Sequence, residues 1–147
     1  MSNEQLAVLT QPQRDRLAFV ELRLRFVGEI RRQDLVMRFG IQSAAATRDL
    51  ALYAELAPGN ITYDSKGKSY VLGAGFRQVF NCPAERVLSW LTQGFGDGEP
   101  VKLKAWVACE SPSPLTYPDL DVLASVTRAI HQECPIAIEY HSISNGY

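Results

Sequence analysis

Apolar positions between Leu17 and Ile30 recur in two registers at once. Leu17, Val20, Leu24 and Val27 form one stripe at helical spacing, and Phe19, Leu22, Phe26 and Ile30 form a second. The pattern predicts a helix over 13–28. Two stripes make too wide a face for a helix lying on one side of a small core. Such a helix is either sandwiched between two layers or presents one stripe to a second subunit. Gly28 loosens the chain, and a short helix follows from about Arg32 to Phe39, with Leu35 and Phe39 one turn apart. Gly40 is placed to end it in a left-handed conformation. Ile41 and Gln42 complete a tight turn, and Ser43 offers a hydroxyl cap to the next helix. That helix runs to about Ala57, where Pro58-Gly59 stops it.

Two short β-prone runs, Ile61–Tyr63 and Tyr70–Leu72, flank the turn Asp64-Ser65-Lys66-Gly67-Lys68 and predict a hairpin. Helix, helix, tight turn, helix, hairpin is the order of a winged helix-turn-helix. Gly73-Ala74-Gly75 reads as a hinge. Beyond it, Pro83 to Leu91 predicts a helix with proline in its first turn, and Gly94–Gly98 reads as a loop. Val101–Cys109 alternates as a strand does, and Ser111–Pro114 reads as a linker. A helix from about Tyr117 to Glu133 carries Leu120, Leu123, Val126 and Ile130 on one side, and Ile136–Tyr140 predicts a strand. That strand has no later partner in the sequence. It pairs with the 101–109 run, with a second chain, or with strands beyond this chain, and the last is the expectation, because a lone edge strand is unstable. The fold class expected is therefore α+β. A winged helix-turn-helix over 1–75 is followed by a linker or dimerisation region over 76–116. Residues 117–147 then supply the first helix and strand of an incomplete domain.

Composition changes this picture little. Hydrophobic residues make up 46% of the 147 and charged residues 21%, an ordinary folding composition. No apolar run approaches the roughly 18–20 residues needed to span a bilayer, and Met1–Gln13 has no secretory pattern. Cys82, Cys109 and Cys134 are odd in number and widely spaced, which suits a reducing cytoplasm better than a disulfide framework. The net charge of −1 divides unevenly: residues 1–72 hold ten Lys/Arg and eight Asp/Glu, residues 73–147 five and eight. This permits nucleic-acid binding by the first half without demanding it.

Helix facing says more. If Ala46, Leu50, Tyr53 and Ala57 face the core, then Ala44, Thr47, Arg48 and Ala51 fall on the outward side. Residues at the start of a recognition helix are those that reach base edges. The candidates for base contact are thus Gln42, Ser43, Ala44, Thr47 and Arg48, with Arg48 able to fork onto guanine and the Ala44 and Thr47 methyls able to meet thymine. Arg31 and Arg32 are placed for phosphates, and Lys66 and Lys68 at the wing tip for the backbone or minor groove. Asp49 points back toward the core, as a partner for the neighbours of Arg48 or for Arg31. Taken alone, Arg48 and the wing lysines read by default as solvated surface residues and the outward alanines as good helix formers; the pattern gains weight only jointly. A winged helix serving protein interaction is the alternative.

Catalysis is the rival from another class. His131 and Cys134, three apart at a helix end with His141 beyond, form one loose pair where zinc wants four ligands in tight pairs. Cysteine with histidine also describes a thiol nucleophile, but nothing in the sequence orients a base. Gly94, Gly96 and Gly98 match neither dinucleotide nor P-loop spacing. No enzyme activity, metal or cofactor is expected.

The run Arg25-Phe26-Val27-Gly28-Glu29-Ile30-Arg31-Arg32-Gln33-Asp34-Leu35, then Arg38-Phe39-Gly40-Ile41, resembles the N-terminal domain of WYL-domain transcriptional regulators. Ala46-Thr47-Arg48-Asp49-Leu50 with Tyr53 is similar to the recognition helix of that family, and Ala57–Asp64 with Lys68-Ser69-Tyr70 to its wing. Within the family the likeness is to the BrxR/CapW-like repressors of bacterial anti-phage defence islands. Leu120, Leu123, Ala129-Ile130 and Ile136–Tyr140 resemble the helix and first strand of the small β-barrel that opens the WYL domain. The stretch that names the domain, the arginine-bearing strands of its ligand groove and its C-terminal extension are absent from this chain. The resemblance implies a cytoplasmic, nucleoid-associated homodimer that binds an inverted repeat in double-stranded DNA. It also implies repression released by a nucleotide or nucleic-acid effector acting in the remainder of a full-length regulator.

Overall fold

Thr10 opens the first long helix with a reciprocal cap. Its hydroxyl accepts the Gln13 N–H, while the Gln13 side chain accepts the Thr10 N–H. In this computed structural model, which describes residues 3–93 and 117–140, a short helix α1 (Asn3–Ala7) precedes that cap. The long helix α2 runs over Gln11–Phe26, so it starts before its apolar stripes do. Next come β1 (Glu29–Ile30), α3 (Arg32–Phe39), α4 (Ser43–Leu56), β2 (Ile61–Asp64), β3 (Ser69–Leu72), α5 (Ala84–Gln93) and α6 (Leu120–Gln132). Gly40 ends α3 at φ +64°, where a β-carbon would be strained. The predicted 101–109 strand, the Gly94–Gly98 loop and the Ser111–Pro114 linker lie outside the described residues.

The two apolar stripes of α2 are both buried within the one chain, so the sandwiched arrangement holds. Leu17, Val20 and Leu24 on one stripe, and Phe19, Leu22 and Phe26 on the other, are all core residues. Helices α3 and α4, strands β1 and β3, and helix α6 pack around them. The sheet is antiparallel in the order β1-β3-β2, with Ile30 opposite Tyr70 and Tyr63 opposite Tyr70 on its other side. Strand β1 went unpredicted because two residues are too few to show alternation. Together these elements form an α+β winged helix.

The Gly73–Gly75 segment, expected to be a hinge, is pinned instead. Gly73 N–H donates to the Asn60 carbonyl and Gly75 N–H to that of Gly59. A β-carbon on Gly73 would collide with the Gly59 carbonyl, so the two strands of backbone approach this closely only because both lack side chains. The chain that follows is held by buried polar groups. Asn60 exchanges hydrogen bonds with Arg77, accepting its N–H at 2.7 Å and donating to its carbonyl at 2.7 Å. Glu21, buried on α2, accepts the N–H groups of Val79 and Phe80 and the Tyr53 hydroxyl at 3.0 Å. Helix α5 then packs Val87, Trp90 and Leu91 into the same core, with the Pro83 carbonyl accepting its first N–H groups.

Helix α6, capped by the Asp119 carboxylate, docks on α2. Arg25 pairs with Asp121 at 2.8 Å, Arg128 donates to the Arg25 carbonyl at 2.6 Å, and the His131 ring meets the Glu29 carboxylate at 3.2 Å. Its buried residues are Ala124 and Thr127, with Leu120 and Leu123 partly buried beside them. The predicted apolar side is thus rotated: Ile130 is half exposed, because the polar clasps fix which face meets α2. Residues 136–140 form no strand, and Ile136, Ile138 and Tyr140 are exposed; the strand predicted there has no partner among the described residues.

Replacing Glu21 with Ala leaves the buried Tyr53 hydroxyl and two partly buried backbone donors without an acceptor, so about 3 kcal/mol of stability should be lost in urea titration. Burial holds the Glu21 carboxyl above the ordinary carboxylate range, while its hydrogen bonds from Phe80, Tyr53 and Val79 pull the other way. The folded chain therefore binds this proton more tightly than the unfolded chain. The corresponding stability is complete below the unfolded value and is lost as pH rises through the folded one. Glu21→Gln should remove that part of the pH slope, and an unchanged slope would show that the group does not titrate differently in the two states.

Candidate nucleic-acid interface

The position of α4 is fixed by one ion pair, one apolar stripe and the buried bond from the Tyr53 hydroxyl to Glu21. Ala46, Leu50 and Tyr53 are fully buried on its inner face. Asp49, beside them, takes a forked bond from Arg16 of α2, at 2.6 Å from Nε and 3.3 Å from Nη2. The partner is Arg16 rather than Arg31 or a neighbour of Arg48. Both side chains are largely withdrawn from water, at 17% and 6% exposure, so the pair orients the helix as well as neutralising it. With that face fixed, Ala44, Thr47, Arg48 and Ala51 are exposed on the other, and Gln42 and Ser43 are exposed at its start.

Ser43 does not cap this helix through its hydroxyl. It is the first helical residue, and the N-cap is Gln42, without a side-chain bond to the helix. Instead the Ser43 carbonyl accepts the Thr47 hydroxyl at 3.0 Å. The first turn of α4 also holds no acidic residue. Its N-terminus therefore keeps the partial positive charge that attracts an anion.

The wing is held open by Asp64. Its carboxylate accepts the N–H groups of Lys66 at 3.0 Å and Gly67 at 3.2 Å across the turn. Lys68 sits at φ +51°, in the left-handed region, and both lysines are exposed. Between wing and recognition helix lies a groove of about 300 Å³ lined by Arg32, Thr47, Leu50, Tyr63, Lys68 and Tyr70. Arg32 from the start of α3, Thr47 from α4 and Lys68 from the wing are thereby brought to one place. Gln42, Ser43, Ala44 and Arg48 lie outside the groove lining, at the start and outer face of α4. Arg31 precedes α3, donating its N–H to the Asp34 carboxylate at 2.7 Å, and Lys66 stands at the wing tip.

Two residues of this groove escaped the sequence reading. Tyr63 is 55% exposed and its ring packs against that of Tyr70 at 5.0 Å between centroids. The signal was available: once the hairpin register is fixed, Tyr63 and Tyr70 are cross-strand partners. An exposed aromatic beside cations, with a hydroxyl at its tip, suits contact with a sugar-phosphate backbone. Arg31, Arg32, Arg48, Lys66 and Lys68 have no ion-pair partner among the described residues, so their charge is available to a polyanion.

The thiol and imidazole candidates are placed differently. Burial, then the nearby Glu21 charge, pushes the Cys82 thiol up to about 11, which keeps it protonated and a poor nucleophile. His131 meets Glu29, and Cys134 is exposed near the Gln132 side chain. No three of His, Cys, Asp and Glu converge as metal ligands among the described residues. Cys109 and His141 lie outside those residues. No described helix is long and apolar enough to cross a membrane.

Residues 12–93 match the model of a family described as the BrxR transcriptional regulator winged helix-turn-helix domain. The chain is 30% identical over 137 residues to the DNA-binding transcriptional repressor CapW of Stenotrophomonas maltophilia. It is 31% identical over 140 residues to that of Pseudomonas aeruginosa, and 32% over 139 residues to that of Escherichia coli. These alignments cover 89–90% of this chain and 46% of each relative. The chain spans about half the length of the curated relatives it matches.

Asp49→Ala would leave the Arg16 guanidinium without its carboxylate in a mostly buried setting and should cost about 3 kcal/mol in a denaturant titration. Replacing both residues by apolar ones of similar volume should recover most of that loss. A single variant as stable as the parent would mean that the pair does not hold α4.

Proposed function

The chain belongs to the BrxR transcriptional regulators through its winged helix-turn-helix domain, and from that premise we propose that it represses transcription by binding double-stranded DNA. The observation that carries this reading is the groove between α4 and the wing, where Arg32, Thr47 and Lys68 arrive from three elements. In this reading α4 enters the major groove. Arg48 forks onto a guanine, the Ala44 and Thr47 methyls meet thymine methyls, and Gln42 and Ser43 reach the neighbouring base edges. Arg31, Arg32 and the α4 N-terminus hold phosphates, while Lys66, Lys68 and Tyr63 follow the backbone beside the wing.

Residues 1–75 carry the DNA-binding module, 76–116 a linker or dimerisation region, and 117–147 the beginning of a WYL-type sensor domain. Two copies read an inverted repeat upstream of an anti-phage defence operon in the bacterial cytoplasm. A nucleotide or nucleic-acid effector acts in the remainder of the sensor. The names of the relatives support repression.

A footprint on the DNA upstream of the protein's own gene tests the reading. Two protected half-sites separated by whole helical turns are expected. Protection of no sequence over bulk DNA would favour a protein-interaction role instead. Arg48→Ala should weaken operator binding by about 1–3 kcal/mol and relax the preference at one base position. Lys66→Ala and Lys68→Gly, the latter chosen because glycine accepts the left-handed backbone, should weaken all sequences alike and lower the salt slope by about 1 each. A changed sequence preference in either lysine variant would contradict a phosphate role.

A further inference from the structure

Of Ala44, Thr47, Arg48 and Ala51 on the outer face of α4, only Thr47 also lines the groove toward the wing, with Arg32 and Lys68. Its hydroxyl is already committed. Oγ1 donates to the Ser43 carbonyl, one turn back, at 3.0 Å. A threonine in a helix divides between two side-chain rotamers, and a bond to the preceding turn selects one of them. That choice fixes the methyl as well, because both groups sit on the same β-carbon.

A hydroxyl has one proton and two lone pairs. With the proton on Ser43, Thr47 has none left to donate, and it offers a ligand a methyl group and an acceptor. Ala44 and Ala51, one turn before and one turn after, are exposed and bring only methyl groups. Neither replaces the missing donor.

The bases respond unequally to such a partner. In the major groove guanine presents acceptors alone, and thymine presents the O4 acceptor beside its methyl. Neither acceptor gains a bond from Thr47, so thymine is recognised there through its methyl only. Cytosine presents the N4 amino donor, which the Thr47 oxygen can accept, but it has no methyl. Cytosine methylated at C5 presents both.

We propose that Thr47 reads the C5-methyl group of a pyrimidine, accepting thymine and 5-methylcytosine at its position and binding uracil and cytosine less well. This rests on the reading of α4 as the helix that enters the major groove, and it goes further in one respect. The group recognised is the methyl, whatever stands at C4. An operator with cytosine at that position therefore binds more tightly once the base is methylated at C5.

Fluorescence anisotropy on duplexes of the footprinted operator tests this, with each thymine replaced singly by uracil and each cytosine by 5-methylcytosine. One position in each half-site should show a methyl effect on Kd of about four-fold, the worth of one buried methyl group. At that position a 5-methylcytosine·guanine pair should likewise bind about four-fold more tightly than cytosine·guanine. The ratio of methylated to unmethylated affinity should persist in Thr47→Val, which keeps the methyl and loses the hydroxyl. It should fall to about one in Thr47→Ser, which does the reverse. Circular dichroism confirms that both variants are folded. A ratio lost in Thr47→Val, or kept in Thr47→Ser, would overturn the proposal. Specific operator binding with no methyl effect at any position would also overturn it, while leaving the DNA-binding reading intact. A footprint that protects no sequence would defeat both.

Discussion

One carboxylate inside α2 sets the frame on which the rest of the molecule is built. Glu21 lies between two apolar stripes, and it is buried because those stripes must be. Ionised, it needs several donors, and it finds them in three places: the hydroxyl of Tyr53 on α4 and the backbone of Val79 and Phe80. Tyr53 in turn accepts from Asn60, which grips Arg77 by both backbone groups. The recognition helix, the loop before the wing and the chain after the wing are therefore satisfied by one connected network. Each member needs the others, so the network specifies position far more sharply than apolar contact alone.

Much of this was legible beforehand because it depends on short-range periodicity. The order of helices, the left-handed Gly40, the hairpin and the outward face of α4 all follow from spacings of a few residues. What was not legible depends on distance along the chain. The Arg16–Asp49 pair joins residues 33 positions apart, and the bond from Val79 to Glu21 spans 58. A buried acid in an otherwise apolar helix announces that such partners exist without naming them. Strand β1 and the Tyr63–Tyr70 pair were missed for a related reason, since each becomes visible only when a neighbouring strand fixes the register.

Helix α6 shows the same limit from the other side. Its periodicity marked an apolar face, but the face that packs is selected by polar clasps to α2 and β1. Ala124 and Thr127 meet the core because small side chains let Arg128 and Asp121 reach Arg25. A stripe of larger residues in that position would have held α6 too far away for those bonds. The exposed Ile130 is thus a consequence of close approach rather than a defect of packing.

These contacts also tie α6 to the elements that carry the groove. His131 bonds Glu29, and Arg128 bonds the carbonyl of Arg25, so α6 grips both the end of α2 and the first residue of β1. Strand β1 pairs with β3, and β3 with β2, the two arms of the wing. Two chains of contacts therefore leave α6: one through α2, Glu21 and Arg16 to the inner face of α4, the other through three paired strands to Asp64 and the wing turn. Both end on the walls of the same groove.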